Sequence, residues 1–439
     1  MMLARVPIYG TKDAGRRFWL KLRGTITNIG LTQNSQCPAL FTYSEDGDVK
    51  LMMGTHVDDI LFACKPGYEG FVRKLQEAFQ VEDSKVSEGN FRFCGREVSQ
   101  EEDGSITVTC KAAAEKIEPI SYRTGVRQTE LANDAEKPQL RSVVGSLAWV
   151  ARQARPDFSY RVNTLQSVCT KATLRDLVFA NKRVADAKEF SNQGITYKAG
   201  ALDFNDCILC TISGASWSNE KQLVKGKLEP LRSQRARMTV LAHKDFFRGV
   251  ETPFYPIAWQ STIVKRACRS TLQAESYGMT AAVEAEGMRL RAMTVDARGL
   301  LDKRKWEVSS RQNMQHLWLT DCKSLEDHLL SESLTKTDDK RLSVDIAALR
   351  QLIWQNANEE DQEELSDEMP DKIRWIDTSK MLVDCLTKDM KTNFLRETLK
   401  EGTYNIVPTA ESEVTKLAKQ KYRRMKSQAP DAEENEEMN

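Results

Sequence analysis

The spacing of apolar positions changes along the 439-residue chain, and those changes predict its elements. Phe18, Leu22 and Ile26 recur at helical intervals, which predicts a one-faced helix from Tyr9 to about Asn28. Ala39 to Tyr43 and Val49 to Thr55 are strand-like runs separated by the turn-rich Ser44-Glu45-Asp46-Gly47-Asp48, a hairpin pattern. A second apolar run, Ile60 to Cys64, follows at once, so Asp58 and Asp59 are expected at the tip of a further hairpin. Phe71, Leu75, Ala78 and Phe79 make the stripe of a helix over 68–80. Phe91 to Val98 reads as one strand, paired with Ser105 to Cys110 across Glu102-Asp103-Gly104. A polar linker, Val126 to Gln139, leads to helices over Leu140 to Arg152 and Thr173 to Phe190.

From about Gly194, strands and helices alternate. Ile208 to Ser213, Tyr255 to Gln260, His316 to Asp321 and Lys372 to Ile376 are the strands expected of a central mixed sheet. Ser270 is placed to cap a helix, with Gln273 as its reciprocal partner. Met381 to Lys388 and Asn393 to Leu399 are expected as short helices. Val414 to Lys426 is basic and Asp431 to Glu437 acidic, the composition of a disordered tail. The fold class is therefore α/β, of the α+β kind.

Composition adds limits. An apolar content of 40% is enough for packed cores, and the net charge of +1 does not mark a polyanion binder. Local cations do cluster: Arg16, Arg17, Lys21 and Arg23; Arg232, Arg235 and Arg237; Lys265, Arg266 and Arg269. Each group could neutralise phosphates or form a solvated face. The 10 cysteines form no framework, and Cys207 and Cys210 lack a second metal-binding pair, so buried thiols in a reducing compartment are expected. The first residues lack the apolar core of a signal peptide, and no run approaches the ~20 apolar residues of a membrane span. An intracellular location, cytoplasm and/or nucleus, is the expectation. Adjacent Asp58 and Asp59 repel each other unless they share a divalent cation, and oxygen ligands suit Mg2+ or Mn2+. Two such ions could clamp the oxygens of a phosphoryl transfer. Taken alone, the pair is explained more simply as a turn, where Asp accepts local backbone hydrogen bonds.

The string HVDDILFA (residues 56–63) resembles the YVDD box of reverse transcriptases in its copia-type retrotransposon form, with His56 in place of the usual aromatic residue. Tyr9 to Trp19 resembles that family's YGLKQAPRAW segment, with Gly15 for Pro and Asp13 for Gln. The run Arg141 to Leu147, followed by Ala154 to Ser159, resembles YRSLVGSLLYL and RPDISF. Arg269 to Tyr277 resembles the RSSTEAEY segment of the copia-type ribonuclease H domain, and Met381 to Lys388 resembles LADILTK. The resemblance covers residues from about 5 to 395. It implies a partial reverse-transcriptase palm over 1–125, a linker and helical thumb or connection over 126–193, a ribonuclease H-like domain over 194–400, and a tail over 401–439.

Catalytic and metal-binding roles then fall to Asp58 and Asp59 in the polymerase and to Glu275, Asp321 and Asp384 in the ribonuclease H domain. Lys12, Arg16 and Arg17 would contact nucleic acid. The implied cofactor is Mg2+ or Mn2+. The implied partners are an RNA/DNA hybrid, a template-primer and deoxynucleotide triphosphates, with no membrane and no indication of oligomeric state. Two departures bear on activity. The family's earlier palm strand, in a segment like DVKTAFLNG, has no counterpart here. Gly214, within Thr211-Ile212-Ser213-Gly214-Ala215-Ser216-Trp217, stands where the family's SDAxW motif has its first ribonuclease H aspartate. A non-catalytic relic or nucleic-acid-binding module is the alternative expectation.

Overall fold

A computed structural model describes residues 11–224, 227–331, 339–354 and 369–407. Tyr9, the start of the chain and the tail beyond 407 lie outside the described residues. Helix α1 (Ala14–Ile29) buries Leu22 and Ile26, and Gly30 ends it with φ +115°, its N–H reaching the carbonyls of Ile26 and Thr27. Strands β1 (Thr32–Gln33), β2 (Leu40–Glu45), β3 (Asp48–His56) and β4 (Asp59–Cys64) form an antiparallel sheet in that order. Asp46 and Gly47 both have positive φ, 50° and 78°, so β2 and β3 are joined by a two-residue turn whose twist suits a hairpin. Helix α2 (Gly70–Phe79) closes the unit, with Val72 and Leu75 meeting Leu22, Ile26, Phe41, Leu51 and Met53 in one core.

The run from Phe91 to Val98 is not a single strand. It folds back at Cys94 and Gly95, with φ 51° and 78°, into β5 (Asn90–Phe93) and β6 (Arg96–Gln100), in register Phe93 to Arg96. Turn geometry at Cys94-Gly95 outweighs the apolar alternation that made the segment look continuous. Strand β7 (Ile106–Thr109) pairs with β6, and a short helix α3 (Lys111–Glu115) follows. Helices α4 (Glu136–Gln153), α5 (Ser159–Val168) and α6 (Leu174–Glu189) pack through Leu140, Val144, Leu147, Val162, Leu165 and Leu177. Thr173 and Asp176 cap α6 reciprocally. Strand β8 (Ile195–Tyr197) adds antiparallel to β7, while Ile195 is buried in the core of the next unit.

That unit is built on a six-stranded sheet. Strands β9 (Ile208–Val224), β10 (Lys227–Ala242) and β11 (Thr252–Ile263) are antiparallel neighbours. Helices α7 (Thr271–Ala282), α8 (Met288–Ala297) and α9 (Trp306–Asn313) then lead to β12 (His316–Thr320), which runs parallel to β9. After α10 (Lys323–Leu330) and α11 (Lys340–Trp354), β13 (Asp371–Trp375) pairs parallel to β12. Helix α12 (Asn393–Glu401) and β14 (Thr403–Tyr404) complete the order β13-β12-β9-β10-β11-β14. Alternation along β9 sends Ile208, Cys210 and Ile212 into one core and Leu209 into another, which also takes Cys207 just before the strand. Both thiols of the Cys207–Cys210 pair are buried.

The architecture is a mixed α/β fold, with antiparallel and parallel pairings in one sheet. The first unit is joined to the third by polar contacts: Asn205 Nδ2 donates to Asp48 Oδ1 at 2.7 Å, and Asn34 Nδ2 to the Met293 carbonyl at 2.8 Å. Among the described residues, no helix is long and apolar enough to cross a membrane.

Candidate active site

Two groups of carboxylates require a structural account. Asp58 lies in the turn between β3 and β4, and Asp59 is the first residue of β4, paired with His56. Both are exposed. The turn carries a backbone anomaly, because Val57, 69% exposed, has φ +56°. A β-branched residue is disfavoured there, at a cost of order 1–3 kcal/mol. Thr55, just before the turn, is buried, and both its N–H and Oγ1 donate to the Ala39 carbonyl. The tip is thus strained but rests on a fixed base. Lys12, Arg16 and Arg17 are exposed at the start of α1, where Arg17 pairs with Asp13 at 2.7 Å.

The second group is assembled at one end of the six-stranded sheet. Glu275 projects from α7, whose start is set by the Ser270 side chain accepting from Gln273 N at 3.2 Å. The reciprocal half of the cap is displaced by one residue, since Gln273 Oε1 accepts from Arg269 N at 2.7 Å. Asp321 immediately follows β12. The parallel register pairs Leu319 with Ile212, so continuing it by two residues sets Asp321 level with Gly214 on β9. Asp384 lies in a single turn of 3-10 helix, Asp384–Leu386, and not in the helix expected over 381–388. Short local hydrogen bonds from Asp384 N to Met381 O and Leu386 N to Val383 O replace helical ones. Side chains pin the segment from outside: Ser216 Oγ donates to the Thr387 carbonyl and Ser261 Oγ to that of Leu386.

These three acids sense one another. Burial, then the charges of Asp321 and Asp384, push the Glu275 carboxyl well above the ordinary carboxylate range, against a hydrogen bond from the Ala215 backbone and the charge of Lys388. Asp321 is raised by burial and then by Asp384, with a Thr378 hydrogen bond opposing. Glu275 is only 4% exposed, and its Oε2 has no hydrogen-bond partner. A buried carboxylate oxygen without a donor is costly, and a cation is the natural complement. Asp384 is matched instead by Lys388, four residues along, at 2.8 Å. Among the described residues, no three His, Cys, Asp or Glu side chains are already gathered as a metal-ligand set, either here or beside Asp58 and Asp59. Mutual repulsion is a sufficient reason for carboxylates to stand apart.

Gly214 lies on β9 with its open face toward the segment that carries Asp384. A Cβ built there would lie 3.2 Å from Val383 Cγ2 and 3.6 Å from Met381 Cε, in the segment that carries Asp384. A side chain at 214 would therefore enter the space between β9 and that segment, where the buried, β-branched Val383 would have to shift by a few tenths of an ångström and the more flexible Met381 end could move aside.

No protein-family model matches the chain. Curated relatives do. The chain is 25% identical over 288 residues to the retrovirus-related Pol polyprotein from transposon RE1 of Arabidopsis thaliana, covering 62% of this chain and 18% of the polyprotein. It is 28% identical over 177 residues to the putative transposon Ty5-1 protein YCL074W of Saccharomyces cerevisiae, covering 36% of this chain and 55% of that protein. The chain is homologous to retrotransposon Pol polyproteins. It spans less than a fifth of the RE1 Pol polyprotein. Solved structures similar to it include the foamy viral protease-reverse transcriptase in complex with RNA/DNA hybrid, at TM-score 0.41 and 13% identity over 77% of this chain and 37% of that one. The N-terminal RNase H domain of rv2228c from Mycobacterium tuberculosis, solved as a fusion with maltose binding protein, aligns at TM-score 0.24 and 12% identity over 44% of this chain and 97% of that one.

Proposed function

We propose that this Pol homologue is of the copia type and joins the C-terminal part of a reverse-transcriptase palm (1–125) and a helical thumb or connection (126–193) to a ribonuclease H-like domain (194–400). Its chemistry would be metal-dependent phosphoryl transfer on nucleic acid, acting inside the cell. The observation that carries this reading is the buried Glu275 with an orphaned oxygen, electrostatically coupled to Asp321 and Asp384. An all-oxygen donor set suits a hard cation, so these three residues would hold Mg2+ or Mn2+. When bound, the ion would supply Lewis-acid stabilisation and an activated water for phosphodiester hydrolysis.

The chain's own residues prepare the site. The Ala215 N–H fixes Glu275. Ser216 and Ser261 hold the Asp384 segment by its carbonyls. Lys388 keeps Asp384 balanced until a cation or substrate competes for it. The hydrolysed partner would be the RNA of an RNA/DNA hybrid. Asp58 and Asp59 would serve template-primer and deoxynucleotide triphosphates, with Lys12, Arg16 and Arg17 on phosphates. A second reading, nucleic-acid binding without turnover, is favoured by Gly214, which supplies no carboxylate next to Asp321.

Gly214→Asp separates the two. Restoring a bridging carboxylate at such a centre is worth several kcal/mol at the transition state, on the order of a 10³-fold rate gain. Magnesium-dependent cleavage of an RNA/DNA hybrid should therefore rise steeply in Gly214→Asp and vanish again when Glu275→Gln is added. A folded Gly214→Asp protein with no more cleavage than the parent would favour the binding-only reading.

A further inference from the structure

Trp217 has no packing role that explains its placement. It is 45% exposed, directly after the residue that ties β9 to the Asp384 segment. Its ring is nevertheless fixed, because Nε1 donates to the Cys268 carbonyl at 2.9 Å. Cys268 belongs to the stretch between β11 and α7, and that stretch is tied down at both ends. Val264 N donates to the Ser233 carbonyl at 2.8 Å, and Arg269 N to Gln273 Oε1 at 2.7 Å. From this held backbone Lys265, Arg266 and Arg269 all project into solvent. An exposed indole held against a rigid loop of three cations, leading into the cap of the Glu275 helix, is an arrangement that folding alone does not require. Leaving a tryptophan ring in water forgoes burial energy.

Acids on the facing side restrain these cations. Arg269 Nη1 is 3.9 Å from Asp339 Oδ2, and Asp345 also lies close enough to feel Arg266. Arg266 further lies over the Tyr277 ring, 5.9 Å from its centroid. The guanidinium groups are thus displayed with their charge only partly offset, and a polyanion could displace the weak Arg269–Asp339 contact.

We propose that Trp217, Lys265, Arg266 and Arg269 form a grip for the sugar-phosphate backbone of a nucleic-acid strand entering the Glu275 site. This rests on the nucleic-acid reading above, but it assigns a surface that the acid group does not include. The cations neutralise phosphates, and the pinned ring offers an apolar face to the sugar or to an unstacked base.

The experiment measures binding of the full chain to a fluorescently labelled RNA/DNA hybrid by anisotropy, in EDTA, across a salt series. Catalytic competence then plays no part. Lys265→Gln, Arg266→Gln and Arg269→Gln should each weaken binding about tenfold at 0.1 M salt and lower the slope of log K against log salt by about 1. Trp217→Leu should weaken binding at least about fivefold without changing that slope, and Trp217→Phe should recover most of the loss. Asp339→Asn should tighten binding. The charge-matched Lys303→Gln/Arg304→Gln/Lys305→Gln variant, altered on an exposed loop elsewhere, should bind more tightly than a folded triple variant of the grip. Wild-type binding that is unchanged in that grip variant overturns the grip and leaves the nucleic-acid reading standing. Absence of wild-type binding even at low salt overturns both.

Discussion

Two acid groups in this chain solve opposite problems. Asp58 and Asp59 stand in water on a two-strand tip, where solvent screens their repulsion and ordinary hydration stabilises both charges. Glu275 is enclosed, and its neighbours Asp321 and Asp384 add to the cost of ionising it. The exposed pair spends strain on the backbone, at Val57, while the second group concentrates unfavourable electrostatics on the buried Glu275. In the second arrangement a bound ion would also relieve a penalty that folding created.

The strongest consequence concerns added metal. A divalent cation that binds the folded buried site should stabilise the protein by about 2.7 kcal/mol at a concentration of 100 times its Kd. Thermal denaturation with and without Mg2+ should show the upshift in the parent and little of it in Glu275→Gln. An equal upshift in the variant would mean that the ion binds elsewhere and that the contrast is false.

Proton linkage comes next in size. A carboxyl whose pKa is raised on folding keeps its proton where the unfolded chain has lost it. Its contribution is complete below the unfolded value, roughly pH 4.3, and drains away as pH rises through the raised one. Within that window each pH unit costs up to about 1.4 kcal/mol. Urea midpoints measured from pH 4.5 upward without metal should fall more steeply in the parent than in Glu275→Gln. Parallel curves would show that Glu275 ionises as freely as an exposed acid.

At the other site the effects are smaller and lie in the backbone. Val57→Asn should raise stability by about 1 kcal/mol, since Asn tolerates positive φ and the exposed valine gives up little packing. Asp58→Asn should leave stability within about 0.5 kcal/mol of the parent, read from the same urea midpoints. A large loss in Asp58→Asn would show that the hairpin acids are structural and dissolve the distinction.

Much of this was legible in the chain. The Asp58–Asp59 hairpin, the Ser270 cap and the β12 strand before Asp321 follow from local signals, since each depends on residues within a few positions. Strand β10 did not, because Lys227–Ala242 is rich in charge and is held as a strand by pairing with β9 and β11 on either side. The full length of β9 was hidden for the same reason. The turn at Cys94-Gly95 was missed because only Gly95 advertises positive φ, while Cys94 adopts it too. The segment around Asp384 has helical spacing, but it is tied from outside, at the carbonyls of Leu386 and Thr387, by Ser261 and Ser216, more than a hundred residues away. Long-range hydrogen bonds of this kind leave no local trace.

The parallel pairing of β9 with β12 has a consequence for the order of assembly. His316 must find Leu209 across a span of more than one hundred residues before Asp321 can reach the level of Gly214. Antiparallel β9, β10 and β11 need only short closures and can zip in sequence, whereas the parallel pair must first offset the entropy of a long loop. The acid group therefore belongs to the last part of the chain to organise. During synthesis, the central strand β9 would wait with one edge open until β12 emerges, the interval in which this protein is most exposed to mispairing with other chains.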